Sequence, residues 1–383
     1  MSSKENPSIR RVLTGADGKR EVEKTLNQEK NLEGKFCSRP FDFLEAQDLG
    51  DGRVFVCCPT WLNVPVGKLS HQSVQEAFNS ETNQEIRKSI FDGSFKYCNH
   101  KLCPMIQNES LPLASEVTDP HLKAIIEKKQ ITNLTPTEYN LCYDQSCNLS
   151  CPSCRATKIY ITEGPAYERK NIIQQKIINE VFGEAHTRYC KVNITGSGDP
   201  FGSKIFRELL FSIDGSKYPN VHISLQTNGV MFTEKYWEKM KKIQKNIKCV
   251  IVSLDASTES TYNVVRRGGN WSALLNNLEF ISSLKEQGTI PYLRLDFVVQ
   301  RENYKEMAGF VKIAKKFKAT KCYFSLVSDW GTWPVEEYKK NAIWKKDHPE
   351  FSEFTKEMSN PIFDEPIVDL GNLTEYRRQA CYE

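Results

Sequence analysis

Beyond Pro136 the chain repeats one pattern: an apolar, strand-like run of five to eight residues, then a longer stretch with apolar side chains at helical spacing. The runs predict strands at 139–143, 191–195, 221–227, 249–254, 292–299 and 322–326, and the stretches predict helices at 171–181, 205–211, 234–243, 271–284 and 304–317. Strands alternating with amphipathic helices are the mark of parallel βαβ units, hence an α/β fold. Polar, glycine-containing or acidic residues gather just after several strands, at Gly196-Ser197-Gly198-Asp199, Asn228-Gly229 and Asp255. In α/β barrels and open α/β sheets that carboxyl end is where ligands bind.

The pattern changes on either side. Residues 1–34 are rich in Lys, Glu, Asn, Ser and Gly without apolar periodicity and read as a mobile leader. Residues 35–110 read as a small α+β unit, with a strand at 52–56 after the turn pair Asp51-Gly52 and a helix at 74–90. A linker at 111–136 holds a helix at 121–129 started by Thr118-Asp119-Pro120, and the strand–helix repeats fill 137–330. The extension at 331–383 is Pro- and charge-rich and is expected to wrap the domain irregularly.

Composition narrows the function classes. With 39% hydrophobic and 26% charged residues, the 383-residue chain has the make-up of a soluble protein with a sizeable core. A net charge of +4, with lysines scattered along helical stretches, disfavours nucleic acid as a partner. No apolar run is long enough to span a membrane, and the first 35 residues lack the apolar centre of a secretory signal, so the expected location is the cytoplasm. In that reducing compartment the 13 cysteines point to metal and not to disulfides.

Their placement sharpens this. Cys147-Asn148-Leu149-Ser150-Cys151-Pro152-Ser153-Cys154 sets three thiols in the loop after the first repeat strand. Three thiolates on a four-iron cluster leave one iron open to chelate a ligand, whereas a structural site is closed by four. Buried thiols or a zinc site completed from elsewhere are the alternatives, with Cys142 a conceivable fourth ligand.

The Cys-x-x-x-Cys-x-x-Cys spacing after a first strand resembles the signature of the radical SAM superfamily. That resemblance implies a partial (β/α)6 TIM-like barrel, a [4Fe-4S] cluster on Cys147, Cys151 and Cys154, and S-adenosylmethionine chelated to its open iron. Reductive cleavage of that cofactor would yield a 5′-deoxyadenosyl radical able to abstract hydrogen from a substrate C–H bond. Ser197-Gly198-Asp199-Pro200 is similar to the family's Gly-Gly-Glu-Pro motif, which receives the methionyl amine; here Asp shortens the reach and Ser replaces a Gly. Ser253 and Arg266 resemble the residues that meet the cofactor and its carboxylate, and Val327 the one whose backbone meets adenine. Ser153 stands where many members have an aromatic residue.

Cys37, Cys57, Cys98 and Cys103 form a second set that resembles the SPASM or twitch module, which holds an auxiliary [4Fe-4S] cluster. The cysteine six residues after the Asp of Asp51-Gly52 is Cys57, so Cys58 is the spare; the module here precedes the barrel, where it usually follows. Zinc is again the alternative occupant. The expected function is oxidation or epimerisation of a small molecule or carbohydrate, the alternatives being peptide or protein side-chain modification and a non-catalytic zinc scaffold. Flavodoxin or ferredoxin is the expected electron donor. If a thiol returns hydrogen to the substrate, Cys142, Cys190, Cys249, Cys322 and Cys381 are the uncommitted candidates.

Overall fold

The computed structural model describes residues 32–183 and 189–382; the expected leader lies, but for its last three residues, outside them. Ten strands form one sheet: β1 (Phe43–Gln47), β2 (Arg53–Phe55), β3 (Gly67–Lys68), β4 (Glu138–Cys142), β5 (Cys190–Ile194), β6 (Val221–Thr227), β7 (Ile247–Ser253), β8 (Tyr292–Val299), β9 (Lys321–Leu326) and β10 (Val368–Asp369). Their order is β10-β9-β8-β7-β6-β5-β4-β1-β2-β3, so the six repeat strands lie side by side in chain order, as the βαβ pattern requires. Neighbours from β10 through to β1 all pair in parallel, and only the β1–β2 and β2–β3 pairings are antiparallel.

Three findings differ from the sequence reading. β1 is an additional parallel strand that pairs Leu44 with Tyr139 and Ala46 with Leu141, so the amino-terminal unit continues the barrel sheet. The helix expected at 74–90 is two helices, Val74–Phe78 and Glu81–Phe91, because Ser80 caps the second through Asn83 N–H. The extension is not irregular: it forms helices Val335–Asn341, Phe351–Met358 and Thr374–Tyr382 and adds β10 to the edge at β9.

Side-chain alternation splits the sheet into two unlike faces. Tyr139, Leu141, Val192, Ile223, Leu225, Val250, Val252, Leu293, Leu295, Phe297 and Phe324 are buried on the face that the helices cover. Phe297 there meets Phe310 of helix Met307–Lys316 with ring centroids 4.9 Å apart. On the other face, register aligns Glu45, Asn140, Asn193, Ser224, Cys249 and Tyr292 in one row, and Ser253, Asp296 and Tyr323 in another. A closed eight-stranded barrel fills its interior with branched aliphatic side chains. This open sheet lines its concave side with hydrogen-bonding groups instead.

A buried ion pair ties the amino-terminal unit to the barrel. Lys170, in helix Gly164–Val181, lies 2.9 Å from Asp48 just past β1 and donates to Tyr143 O at 2.6 Å. Arg169 reaches the same carboxylate at 2.8 Å, and together the two cations hold Asp48 below the usual carboxylate range against its burial. Lys170→Met removes one of the two cations and leaves Tyr143 O without its donor, while Arg169 still pairs with Asp48, so it is expected to cost about 1–3 kcal/mol. The unfolding midpoint of the purified protein checks this; a change worth under about 1 kcal/mol would contradict it. Among the described residues no helix is long and apolar enough to cross a membrane.

Candidate functional site

Residues 143–163, between β4 and helix Gly164–Val181, hold the three clustered cysteines. Cys147 N–H bonds Ile159 O at 2.9 Å, closing the loop, and the N–H groups of Cys154 and Arg155 both donate to Cys151 O. Cys147 and Cys151 are buried around Leu149, and Cys154 is exposed.

Each sulfur meets a nitrogen donor. Asn228, after β6, donates to Cys147 Sγ at 3.7 Å; Arg266 Nη1 lies 3.8 Å from Cys151 Sγ; and Arg155 Nη2 lies 3.2 Å from Cys154 Sγ. Arg155 also holds Ser197 O at 2.7 Å and Gln145 O, joining the cysteine loop to the loop after β5. Arg267 clamps the other side, through Ala156 O at 2.9 Å and Ser150 Oγ at 3.3 Å. Glycines permit the close approach: a Cβ on Gly198 would stand 2.5 Å from Asp144 O, and one on Gly202 would stand 2.9 Å from Asn148 N. Of these donors, sequence reasoning singled out only Arg266; Asn228 showed only as a polar residue after a strand, and Arg155 and Arg267 gave no signal.

Arg266 is also paired with Asp255, Nη2 to Oδ2 at 2.8 Å. Burial raises the Asp255 carboxyl despite that guanidinium, and Asp255 Oδ1 accepts from Val298 N–H at 2.7 Å. Arg266 Nε is buried with no hydrogen-bond partner. A planar guanidinium with one nitrogen engaged by Asp255 and another unmet beside Cys151 suits a ligand carboxylate, which binds Arg in bidentate fashion. Burial pushes the Cys147 thiol up to about 12, and the positive charge of a bound metal would favour its thiolate.

The remaining expected contacts sit at the same sheet end. Ser253 closes β7, and Val327 N–H donates to Val299 O at 3.0 Å just past β9. Ser197 Oγ donates to Cys142 O at 2.8 Å. Asp199, in the motif expected to receive the methionyl amine, accepts bonds from the chain itself on both oxygens, Oδ1 from the N–H groups of Phe201 and Gly202, Oδ2 from Thr227 Oγ1 and Asn228 N–H, all within 3.0 Å.

In the amino-terminal unit, Cys98 feels the charges of Cys37, Cys57 and Cys103, and burial with these neighbours pushes Cys37 up to about 11 and Cys57 to about 12. Cys58 is felt instead by Cys57 and by Cys142 on β4. Among the described residues no three Cys, His, Asp or Glu groups converge as the ligands of a single ion do; the ligands of a four-iron cluster each bind a different iron. Register sorts the uncommitted thiols as well. Cys142 and Cys249 lie on the polar face, Cys190 and Cys322 are buried under the helices, and Cys381 is exposed on the last helix.

Residues 145–310 match the Radical SAM superfamily, and residues 49–105 match the SPASM iron-sulfur cluster-binding domain. The chain carries a radical SAM domain and, ahead of it, a SPASM domain. Its cofactors are therefore a [4Fe-4S] cluster with S-adenosylmethionine and auxiliary iron–sulfur in the SPASM domain. This radical SAM protein is similar to the solved structure of Streptococcus suis SuiB bound to precursor peptide SuiA, at 15% identity and a TM-score of 0.43, over 78% of this chain and 65% of that one. SuiB bound to S-adenosylmethionine matches at 16% identity and a TM-score of 0.42, over 78% and 64% of the two chains. Native anSMEcpe with bound AdoMet and the Kp18Cys peptide matches at 21% identity and a TM-score of 0.41, over 59% of each chain. The chain thus spans just under two thirds of the length of the SuiB structures with those ligands. No curated protein matches it.

Proposed function

We propose that this radical SAM enzyme modifies a C–H bond in a side chain of a peptide or protein. The observation that carries the enzymatic part is the meeting of three cysteine sulfurs with Asn228, Arg266 and Arg155, which come from three different loops at the carboxyl end of one parallel sheet. In this reading Cys147, Cys151 and Cys154 hold the cluster, Arg266 binds the cofactor's carboxylate, and Ser253 and Val327 line its nucleoside. When bound, the cofactor supplies a 5′-deoxyadenosyl radical that abstracts the substrate hydrogen. The protein places the substrate and excludes water.

Cys37, Cys57, Cys98 and Cys103 close the auxiliary cluster, whose four-thiolate shell suits electron transfer, and Cys58 faces the barrel as the spare. The SPASM domain at 49–105 is of a kind whose enzymes modify ribosomal peptides, protein side chains, or sugars and related small molecules, so the peptide reading is one of the classes this module serves. A second reading, a carbohydrate or other small polar molecule, is favoured by one feature of this chain. The concave face offers amides, hydroxyls and charged pairs, such as Arg294 with Asp296 at 2.7 Å.

Anaerobic reconstitution followed by dithionite or reduced flavodoxin is expected to yield 5′-deoxyadenosine from S-adenosylmethionine. Absence of that product, with a full iron complement, would overturn the enzymatic reading. Candidate peptides and nucleotide sugars then compete as substrates. The class whose addition raises 5′-deoxyadenosine and which is itself altered, by a change in mass or by deuterium taken up from heavy water, is the substrate, and that deuterium favours return of hydrogen from an exchangeable donor, such as the thiol of Cys142 or Cys249, over a two-electron oxidation.

A further inference from the structure

The side chain at 199 stands where the family's acidic residue meets the methionyl amine, yet here it has no acceptor position left. A carboxylate offers about four lone-pair sites, and the protein fills four: Phe201 N–H at 2.9 Å and Gly202 N–H at 3.0 Å on Oδ1, Thr227 Oγ1 at 2.8 Å and Asn228 N–H at 2.8 Å on Oδ2. Asp199 is 1% exposed, so no water competes for those contacts. Its Oδ2 fastens the end of β6 to the loop after β5, and the residue it fixes there is Asn228. The Asn228 side chain then has one orientation. Its Oδ1 accepts from Val230 N–H at 3.1 Å, and its Nδ2 donates to Asn148 Oδ1 at 2.8 Å and faces Cys147 Sγ at 3.7 Å.

We propose that Asp199 is a positioning residue: it holds Asn228 so that the amide donates to the Cys147 sulfur, which Leu149 N–H also reaches at 3.4 Å, and so raises the reduction potential of the cluster carried there. The inference rests on the reading of Cys147, Cys151 and Cys154 as cluster ligands. An N–H aimed at a ligand sulfur stabilises negative charge, more so once the cluster has gained an electron, and therefore raises the potential. Asp199 does so through Asn228, without touching the cluster or the cofactor.

The test is a potentiometric titration of anaerobically reconstituted protein, following the EPR signal that changes when S-adenosylmethionine is added. That change separates this cluster from the auxiliary one. Asn228→Leu is expected to move the midpoint to a more negative value. Asp199→Asn, which places an amide nitrogen against Asn228 N–H, is expected to move it in the same direction, and the double variant no further than the larger single shift. Should Asp199→Asn assemble too little iron to titrate, Thr227→Val removes one partner of the same oxygen and is expected to give a smaller shift of the same sign.

An unchanged midpoint in Asn228→Leu with normal iron content overturns the proposal while leaving the cluster reading intact. So does an Asp199→Asn protein that binds S-adenosylmethionine several-fold more weakly at an unchanged midpoint, since Asp199 would then meet the amine directly. Unaltered protein that places no iron on the three cysteines overturns the underlying reading instead, and the two failures are told apart by iron content alone.

Discussion

Cys151→Ala is expected to abolish 5′-deoxyadenosine formation and to lower iron from about eight to about four atoms per chain, because one of two four-iron clusters is lost. Cys151 is the most informative of the three: it is buried beside Leu149, and Arg266 points at its sulfur from 3.8 Å. The auxiliary set, Cys37, Cys57, Cys98 and Cys103, packs against the main hydrophobic core, apart from the small group of Cys147, Leu149 and Cys151, so that cluster and a brown colour are expected to persist. Cys57→Ala is expected to do the converse, losing about four irons while cofactor cleavage survives at a reduced rate. Cys58→Ala is expected to lose none. Iron and sulfide analysis with product chromatography reads all three variants. A Cys151→Ala protein with undiminished iron would remove the proposed role of the three cysteines, and colourless, zinc-loaded protein would replace enzyme with scaffold.

The strands of the barrel were legible because each pairs an apolar helix-facing side with a polar concave side, and alternation is the strongest pattern a single sequence offers. β1 was not, since Phe43-Leu44-Glu45-Ala46-Gln47 has no β-branched residue; what makes it a strand is its pairing with β4, a contact across some 95 residues. β10 is two residues long and exists only because β9 presents a free edge. In the site, thiol spacing was informative because a cluster dictates it, and Arg266 followed from its place after β7. Arg155, Asn228 and Arg267 act through geometry that joins separate loops, so their spacing in the chain says nothing. Asp199 was legible as a motif position, but the four donors around it are visible only in the fold.

Arg266→Met is expected to combine two losses. The first is in binding: a guanidinium that lies beside Cys151 with Nε unmet offers charge-assisted hydrogen bonds to the cofactor's carboxylate. Such bonds are each worth about 1.5–3 kcal/mol, so the affinity for S-adenosylmethionine should fall about 10- to 100-fold. The second is in folding. Asp255 has a side chain only 4% exposed, and without Arg266 it keeps Val298 N–H at 2.7 Å but no cation. Stranding a buried carboxylate costs about 3–5 kcal/mol, less whatever it recovers by taking up a proton. Asp255→Asn separates the two. In the double variant with Arg266→Met the charge is gone, so stability should return while binding stays weak. Arg266→Lys should keep most of the stability and recover little binding, because a single ammonium cannot serve Asp255, the Cys151 sulfur and a planar carboxylate together. Equilibrium dialysis with the labelled cofactor and unfolding midpoints at one pH decide the matter. If Arg266→Met binds the cofactor as tightly as unaltered protein, the carboxylate is held elsewhere, and Arg266 serves only Asp255 and the cluster sulfur.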